Sequence, residues 1–296
     1  MNLWSEYILC QSVDEALHAL ASASGPARPI AGGTDLLLDL QQGHTTPVHT
    51  LVDISQISEL QALELRGDSL FIGAGVPVSV IAASALIKEH AQALAEACAL
   101  IGGPQVRNTA TLGGNVAHAL PAADGTIALL SLDAAVEIAS PAGRRIVPVL
   151  SIFRGVGRTE LCDAVELVVG FHLPTRKPGQ ASAFSRVMRP QGVALPVINL
   201  AAWLERQDKS IKSVRIGVGP AGTTPQRARA IEDALCGQPF SPELVQKARN
   251  LVDTTLSFRS SAARATAAYR YHLCKILLED VLITAWDRST LPVEEK

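Results

Sequence analysis

Residues 29–36 read Pro-Ile-Ala-Gly-Gly-Thr-Asp-Leu and residues 111–115 read Thr-Leu-Gly-Gly-Asn, and these two glycine-paired turns decide how the rest of the chain is interpreted. Each is flanked by apolar sequence of the kind found in strands. A glycine pair lets the backbone come close to a ligand and adopt positive φ, so that consecutive N–H groups can point at one anion. One such turn is most often only a tight connection between a strand and a helix. Two of them together predict a single diphosphate held from two sides, as in a dinucleotide cofactor.

Two familiar nucleotide motifs are missing from the sequence. A Rossmann fingerprint needs Gly-x-Gly-x-x-Gly between a strand and a helix, and the chain has no such pattern there. A Walker loop ends in Gly-Lys-Ser/Thr, and no lysine follows a glycine run here. Phosphoryl transfer therefore loses its main support.

The composition is that of a globular protein. The chain has 296 residues, of which 48% are hydrophobic, and this is ample material for cores. The formal net charge is −2 and the basic residues are scattered, so the electrostatic footprint of a nucleic-acid or anionic-membrane binder is missing. The first residues, 1–6, carry no leader pattern, and no apolar run reaches the roughly 18 residues of a membrane span, so we expect a cytoplasmic protein.

The five cysteines lie far apart and form no Cys-x-x-Cys pair. That spacing is not typical of a zinc or iron–sulfur site, and an odd number does not suit a secreted disulfide scaffold. We expect reduced thiols in cores.

Periodicity and breakers predict the elements of the first part of the chain. In chain order these are a helix from the Ser12–Glu15 capping box to Gly25-Pro26, a strand ending at Ala31, a short helix over 35–40, a strand over 48–54, a hairpin over 63–72, a helix over 86–101, a hairpin over 134–147 and a strand over 166–173.

A polar, breaker-rich stretch at 174–180 is the best candidate for a domain linker. Beyond it the order changes, with strands predicted at 183–188, 197–205 and 213–218 and then helices beginning near Pro225, Ser241 and Ser260. A second unit of α+β type is therefore predicted to start there.

Residues 30–36, taken with 111–116, Pro121 and Asp124, resemble the FAD-binding medium subunit of molybdenum hydroxylases. That class includes xanthine, aldehyde and carbon monoxide dehydrogenases. The resemblance covers essentially the whole chain, and the run Gly-Pro-Gln-Val-Arg-Asn at 103–108 is most similar to the bacterial xanthine dehydrogenase type.

The resemblance implies an α+β fold in two domains. Residues 1–176 would be a vanillyl-alcohol-oxidase-like, PCMH-type FAD-binding domain with subdomains at about 1–54 and 55–176. Residues 177–296 would be a small domain of sheet and helices, like the C-terminal domain of carbon monoxide dehydrogenase flavoproteins.

The resemblance also implies a set of residues that bind FAD without a covalent bond, and no catalytic residue. Those residues are Pro29, Ile30, Ala31, Gly32, Gly33, Thr34, Asp35, Leu36, Ile101, Thr111, Leu112, Gly113, Gly114, Asn115, Asp124, Val168 and Ser185. Ile101 falls where the family places an apolar residue near the isoalloxazine ring, and Val168 where the backbone touches the flavin. Ser185 stands where many relatives have a lysine, so Arg186 is a possible source of the missing charge.

Some residues in and near the motifs have more than one interpretation. Asp35 and Asp124 are also typical helix caps or turn residues. Arg107 could contact a phosphate or another subunit, or form a structural ion pair. His118, three residues after Asn115, could form a covalent link to the flavin or act as a general base. The family, however, generally holds FAD without a covalent bond.

The function implied is electron transfer. Electrons would come from the 2Fe–2S clusters of a small subunit, reduced by a molybdopterin-containing large subunit, and pass through FAD to NAD or another acceptor. The three chains would form a heterotrimer, duplicated as a dimer. No inserted loop lies within 124–132, so no metal or iron–sulfur cluster is expected in this chain.

Two other functions stay open on the sequence. A self-contained FAD-dependent oxidase would need a catalytic tyrosine, histidine or arginine facing the flavin, and the three tyrosines lie away from the motifs. A nucleotide-binding scaffold without redox chemistry would bind no flavin.

Overall fold

Parallel and antiparallel sheets occupy different parts of the chain in the computed structural model, which describes residues 3–162, 164–189, 195–262 and 264–291. Within those residues the strands form sheets of three, five, four and two strands. This is the predicted mixture of helices and strands.

The amino-terminal sheet is small and parallel. Its strands are β1 (Glu6–Leu9), β2 (Ala27–Ile30) and β3 (Thr50–Asp53), with β3 in the centre. Helix α1 (Val13–Ser22) connects β1 to β2, and the Ser12 hydroxyl accepts the N–H of Glu15 at 3.1 Å, as the capping box predicts. After the first glycine turn comes the predicted short helix, α2 (Leu36–Gln42).

The middle of the chain forms a five-stranded antiparallel sheet with helices on one face. Its strands lie in the order β4, β5, β10, β6, β7. The elements of this part are α3 (Val78–Ala83), α4 (Ala85–His90), α5 (Gln92–Leu100), α6 (Pro104–Arg107), α7 (Leu112–Ala117), α8 (Asp124–Ser131), β4 (Leu63–Arg66), β5 (Ser69–Gly73), β6 (Ala135–Ser140), β7 (Gly143–Pro148), β8 (Phe153–Gly155), β9 (Arg158–Thr159) and β10 (Leu167–Pro174), with short 3-10 helices at Ser58–Gln61 and Val149–Ile152. Both predicted hairpins and the predicted strand before Pro174 are confirmed.

Alternation along β5 shows how this sheet is buried on both faces. Leu70 and Ile72 face a core shared with α5, α7 and α8, while Phe71 between them packs in the core of α1. Side chains alternate between the two faces of a strand, so a run of apolar residues is required when both faces are covered.

The carboxyl-terminal part is a four-stranded antiparallel sheet with helices. Its elements are β11 (Gln180–Met188), β12 (Pro196–Gln207), β13 (Ser210–Gly219), β14 (Gln226–Arg227), α9 (Arg229–Leu235), α10 (Pro242–Thr255) and α11 (Ala267–Arg288). The three predicted long strands and the helix start at Ser241 are confirmed.

Three predicted boundaries are wrong. The single helix over 86–101 is two helices, because Ala91 leaves the helical conformation with φ −143° and ψ 49° and the N–H of Ala93 is capped by the Ser182 hydroxyl. The helix expected near Pro225 starts at Arg229, since the residues before it pair with β13 as a short strand. The helix expected near Ser260 starts at Ala267, whose N–H bonds to the Ser260 hydroxyl.

Candidate functional site

The first glycine turn leaves a row of backbone donors without partners. In the described part of the chain, none of the N–H groups of residues 32–36 donates a hydrogen bond to the protein. The turn lies between β2 and α2, and Gly33 holds φ at +64°. Consecutive free N–H groups at the start of a helix form an anion-binding concavity, so this turn can accept a phosphate.

The two turns lie against each other. A Cβ on Gly32 would collide with the carbonyl oxygen of Thr109 and would stand 3.1 Å from the nitrogen of Ala110, directly before the second turn. On the other side, the imidazole Nε2 of His118 is 3.8 Å from a carboxylate oxygen of Asp35. Gly32 is therefore required for the close approach of the two segments, and the surface that they share is named the cleft.

The second turn differs from the expectation. It is not a strand-flanked loop with bare donors: Thr111 caps α7, and its hydroxyl accepts the N–H of Gly114 at 3.1 Å. The N–H of Gly113 donates to the carbonyl of Ala74 at 2.8 Å. These donors are used inside the protein because the glycines form the first turn of a helix packed on the end of β5.

Gly114 has no packing reason to be glycine. It is exposed, and a Cβ there would meet only the hydroxyl of Thr111, at 3.2 Å. His118 follows one helical turn later, its N–H bonded to the carbonyl of Gly114. The bare surface at Gly114 leaves room for a ligand to touch the backbone.

Asp124 is buried and fully engaged inside the protein. The residue is 4% exposed; one carboxylate oxygen pairs with Arg186 and the other accepts from the Asn199 amide at 2.6 Å. Burial raises the pKa of Asp124, while the charge of Arg186 and the hydrogen bonds oppose that rise. Asp124 thus joins the start of α8 to β11 and β12. Because Arg186 pairs with Asp124, it is not available to supply the charge of the lysine that many relatives have at the position of Ser185.

Asn115 connects α7 to α8. Its side-chain oxygen accepts the N–H of Thr126 at 3.2 Å, which caps a donor in the first turn of α8. Ser185, half-buried, pairs with Leu200 across β11 and β12, next to Arg186. The structure therefore links the second turn to the start of α8, where Asp124 lies, while Ser185 is only the chain neighbour of Arg186, the partner of Asp124.

Ile101 and Val168 lie at the edges of the same region. Val168 is 7% exposed and lies beside an irregularity in the register of β10. The next carbonyl, that of Val169, accepts the N–H of Ala74, whose own carbonyl accepts the N–H of Gly113. Ile101 is half-buried after α5, and its carbonyl accepts from Arg107 at 3.1 Å. Arg107 also donates to the carbonyl of Gly102, so it holds the backbone rather than forming the ion pair considered above.

The remaining predicted residues of the first turn surround the free donors. Ile30 is buried with Leu51, and Leu36 packs against the same cluster. Asp35 precedes α2 but makes no side-chain cap, and its carboxylate faces the imidazole of His118 instead.

Cysteines and histidines form no second site in the part of the chain that the structure describes. All five cysteines are free thiols, but the expectation that they lie in cores is wrong for Cys162 and Cys236, which are exposed. Burial raises the pKa of Cys274 to about 12. No group of three or more described histidine, cysteine or acidic side chains could hold a metal ion. A search of the described helices finds none that is long and apolar enough to cross a membrane.

Sequence reasoning missed Asn199, which lies far along the chain from the motifs and carries no local pattern. It also missed three arginines, Arg259, Arg264 and Arg270, that line a cavity together with Pro121 of the motif. A signal for these was available, because residues 254–278 contain no aspartate or glutamate.

Residues 3–176 match the model of the FAD binding domain in molybdopterin dehydrogenase, and residues 182–285 match that of the CO dehydrogenase flavoprotein C-terminal domain. The xanthine dehydrogenase FAD-binding subunit of Escherichia coli O157:H7 is 30% identical over 95% of this chain and 96% of its own length.

Solved structures agree with the sequence matches. Carbon monoxide dehydrogenase from Hydrogenophaga pseudoflava, in a form that lacks the Mo-pyranopterin moiety, superposes with a TM-score of 0.90 at 29% identity, covering 96% of this chain and 98% of that one. Quinoline 2-oxidoreductase from Pseudomonas putida 86 gives 0.87 at 27% identity, covering 97% and 98%.

Proposed function

The chain belongs to the family of FAD-binding subunits of molybdenum hydroxylases, an oxidoreductase family, and on that premise we propose that it carries electrons from partner iron–sulfur clusters through FAD to NAD or another acceptor. Relatives with matching length are named as subunits of xanthine and carbon monoxide dehydrogenases. The proposed partners are accordingly a molybdopterin-containing large subunit and a 2Fe–2S small subunit, in a cytoplasmic heterotrimer.

The single observation that carries the proposal is the row of free N–H groups at residues 32–36 beside the bare backbone of Gly114. A diphosphate placed in the cleft would accept hydrogen bonds from the first turn and pack on the second. The donor set is neutral backbone N–H, the kind of group that holds phosphate at the start of a helix. The residues present therefore fit FAD.

We assign roles to the predicted residues on this basis. Residues 29–36 and 111–115 would hold the diphosphate, with Gly32 keeping the two turns together. Ile101 and the backbone of Val168 would lie along the rings. Asp124 would act indirectly, by fixing the start of α8 through Arg186 and Asn199, while Ser185 stays close to it on β11.

When bound, the isoalloxazine ring supplies the redox chemistry, and the protein supplies position and electrostatics. The described side chains suit this division of work. Tyr7 donates to Asp53, and Tyr271 donates to the carbonyl of Leu256, so both hydroxyls are engaged within the protein. This favours a relay over a self-contained oxidase.

We also propose the domain division made from the sequence, with the FAD-binding domain at 1–176, its subdomains meeting near residue 54, and the carboxyl-terminal domain at 177–296. The change from the five-stranded to the four-stranded sheet between β10 and β11 supports it.

The test is Gly114→Val in the assembled complex. A Cβ at residue 114 would meet only the Thr111 hydroxyl, at 3.2 Å, whereas the valine side chain would occupy the space of the ligand. We expect the purified variant to be folded, to lack the visible flavin absorbance, and to lose acceptor reduction while substrate still bleaches the iron–sulfur absorbance.

The matched control is Gly155→Val, where a Cβ would meet nothing closer than 3.9 Å and where the strand favours a β-branched residue. It should keep its flavin. A Gly114→Val protein with full flavin content would overturn the cofactor assignment, and a wild-type flavoprotein that oxidises a substrate without partner chains would overturn the relay.

A further inference from the structure

The outer side of α11 carries apolar side chains in the open. Tyr269, Ile276 and Ile283 are 48%, 45% and 40% exposed. They follow one another at intervals of seven residues, so they lie on one side of the helix and about 10 Å apart along its axis. Single exposed apolar residues are common on proteins, but a row at this spacing is the pattern by which one helix packs against another. We call these three residues the α11 stripe.

The other sides of α11 are already used by the protein itself. One side packs on β11 and β12, and helix α10 covers a second side. There Arg249 of α10 pairs with Glu279 at 2.6 Å. Asp253 of α10 pairs with Lys275, also at 2.6 Å. The α11 stripe is the side that the sheet and α10 leave exposed.

A basic and an acidic side chain flank the middle of the α11 stripe. His272 lies four residues before Ile276, Asp280 lies four residues after it, and both are exposed. Within the described chain neither side chain forms an ion pair or a hydrogen bond, in contrast to the charges of α11 that face α10. Four residues are one helical turn plus about 40°, so the two side chains flank Ile276 at equal distances and on opposite sides.

This arrangement is complementary to itself. When a second copy of α11 lies antiparallel across a two-fold axis at Ile276, residues at equal distances before and after Ile276 face each other. His272 of each copy then meets Asp280 of the other. Tyr269 of each copy meets Ile283 in the same way. A parallel pair would instead bring Asp280 to Asp280, with like charges together. A helix of a different protein would need no such symmetry on this side of α11, whereas a second copy requires it.

We propose that α11 joins two copies of this chain, antiparallel and symmetric about Ile276. The apolar side chains would be withdrawn from water, and the two pairs of His272 and Asp280 would fix the direction and the register. One helix offers less than the roughly 800 Å² per partner of a standard interface, so we expect a weak dimer that dissociates on dilution. The proposal goes beyond the proposed electron transfer, because no residue of α11 belongs to the predicted FAD-binding set.

The experiment is disulfide trapping at high concentration of the full, FAD-saturated chain, in a background where the exposed Cys162 and Cys236 are replaced by serine. Ile276→Cys should form a covalent dimer under mild oxidation, because the two copies of a residue on the axis come within the Cα–Cα reach of a disulfide, about 4–7 Å. Ala268→Cys is the matched control, since Ala268 is also exposed on α11 but lies outside the stripe. The control should stay monomeric.

The register is tested by mixing variants in the same background. Tyr269→Cys and Ile283→Cys should each stay monomeric alone and should form a covalent heterodimer together. His272→Asp, added to Ile276→Cys, should slow trapping roughly fivefold, because it brings acidic side chains together. Adding Asp280→His to that variant should restore the rate, because the opposite charges then meet again in exchanged positions.

Trapping of Ile276→Cys no faster than that of Ala268→Cys would overturn the proposal. Equal trapping of Tyr269→Cys with itself and with Ile283→Cys would also overturn it, since that pattern belongs to no single register. In the assembled complex, an Ile276→Cys thiol that is shielded from maleimide without forming a dimer would show that a different subunit covers the α11 stripe, and the proposal would again be wrong. None of these results bears on flavin retention, so this proposal and the proposed function fail separately.

Discussion

At the scale of single residues, the motif glycines serve different purposes that the sequence does not separate. Gly32 is required by the protein, because a side chain there would meet the backbone at Thr109. Gly114 is under much weaker constraint, since it is exposed and a Cβ there would meet only the Thr111 hydroxyl, at 3.2 Å. The pattern Gly-Gly is identical in both turns, and only the neighbours brought by folding distinguish a packing glycine from a ligand-facing one.

Tyr7 gives a pH-dependent contribution to stability. Its hydroxyl on β1 donates to the Asp53 carboxylate on β3, and this hydrogen bond raises the pKa of Tyr7 from its ordinary value of 10.0 to about 12. A raised pKa in the folded state means that the stabilisation is complete below about pH 10 and is lost as the pH rises to 12. We therefore expect Tyr7→Phe to be less stable than wild type at neutral pH and to match it at the upper end of that range.

The measurement is urea unfolding of both proteins at stepped alkaline pH, with phenolate absorbance followed in parallel. The difference between the two absorbance titrations isolates Tyr7 from the other two tyrosines. A constant stability difference across this pH range would contradict the assigned hydrogen bond.

At the scale of elements, local pattern located most helices and strands but not the break within 86–101. The apolar spacing there is continuous, so it predicts one helix. The structure divides it at Ala91, because β11 brings the Ser182 hydroxyl to the N–H of Ala93 at 3.1 Å. A cap supplied from another part of the chain leaves no trace in the local sequence.

We expect Ser182→Ala to destabilise the protein by about 1–3 kcal/mol, because it leaves the buried N–H of Ala93 without a partner. Urea unfolding should give a lower midpoint with an unchanged slope, since the surface exposed on unfolding stays the same. Ser257→Ala is the control, because Ser257 is exposed and its side chain makes no hydrogen bond within the described chain. Equal midpoints for the two variants would show that the break has another cause.

At the scale of the whole molecule, β12 joins the two halves. Leu200 and Ala202 pack toward α11, while Ala201 and Trp203 pack in the core of α5 and α8. Apart from Asn199, β12 is apolar from Pro196 to Leu204, which predicts a strand, and its burial on both faces explains why polar and apolar residues do not alternate there.

The fold was largely predictable, because helix caps, hairpin turns and apolar periodicity are local signals, and the family resemblance supplied the arrangement. The site was predictable only in part. The free donors at residues 32–36 follow from the glycine turn, but the engaged donors at Gly113 depend on the carbonyl of Ala74, and the pairing of Asp124 depends on Asn199. Contacts between distant segments decide which polar atoms stay available to a ligand.

Removal of FAD should therefore lower the stability of the whole fold. A ligand that binds only the folded state stabilises it by about 2.7 kcal/mol at a free concentration one hundred times its Kd, which corresponds to a rise in Tm of roughly 5 °C for a chain of this size. We expect wild type to show this rise between its apo and FAD-saturated forms in calorimetry. Gly114→Val should have the Tm of apo wild type and should not respond to FAD, because its fold is intact and its cleft is blocked.

Gly32→Ala should melt below apo wild type, by the equivalent of about 1–3 kcal/mol, because its side chain separates the two turns. If Gly32→Ala and Gly114→Val melted alike, the distinction between the glycine that packs the turns together and the glycine that faces the cofactor would be wrong.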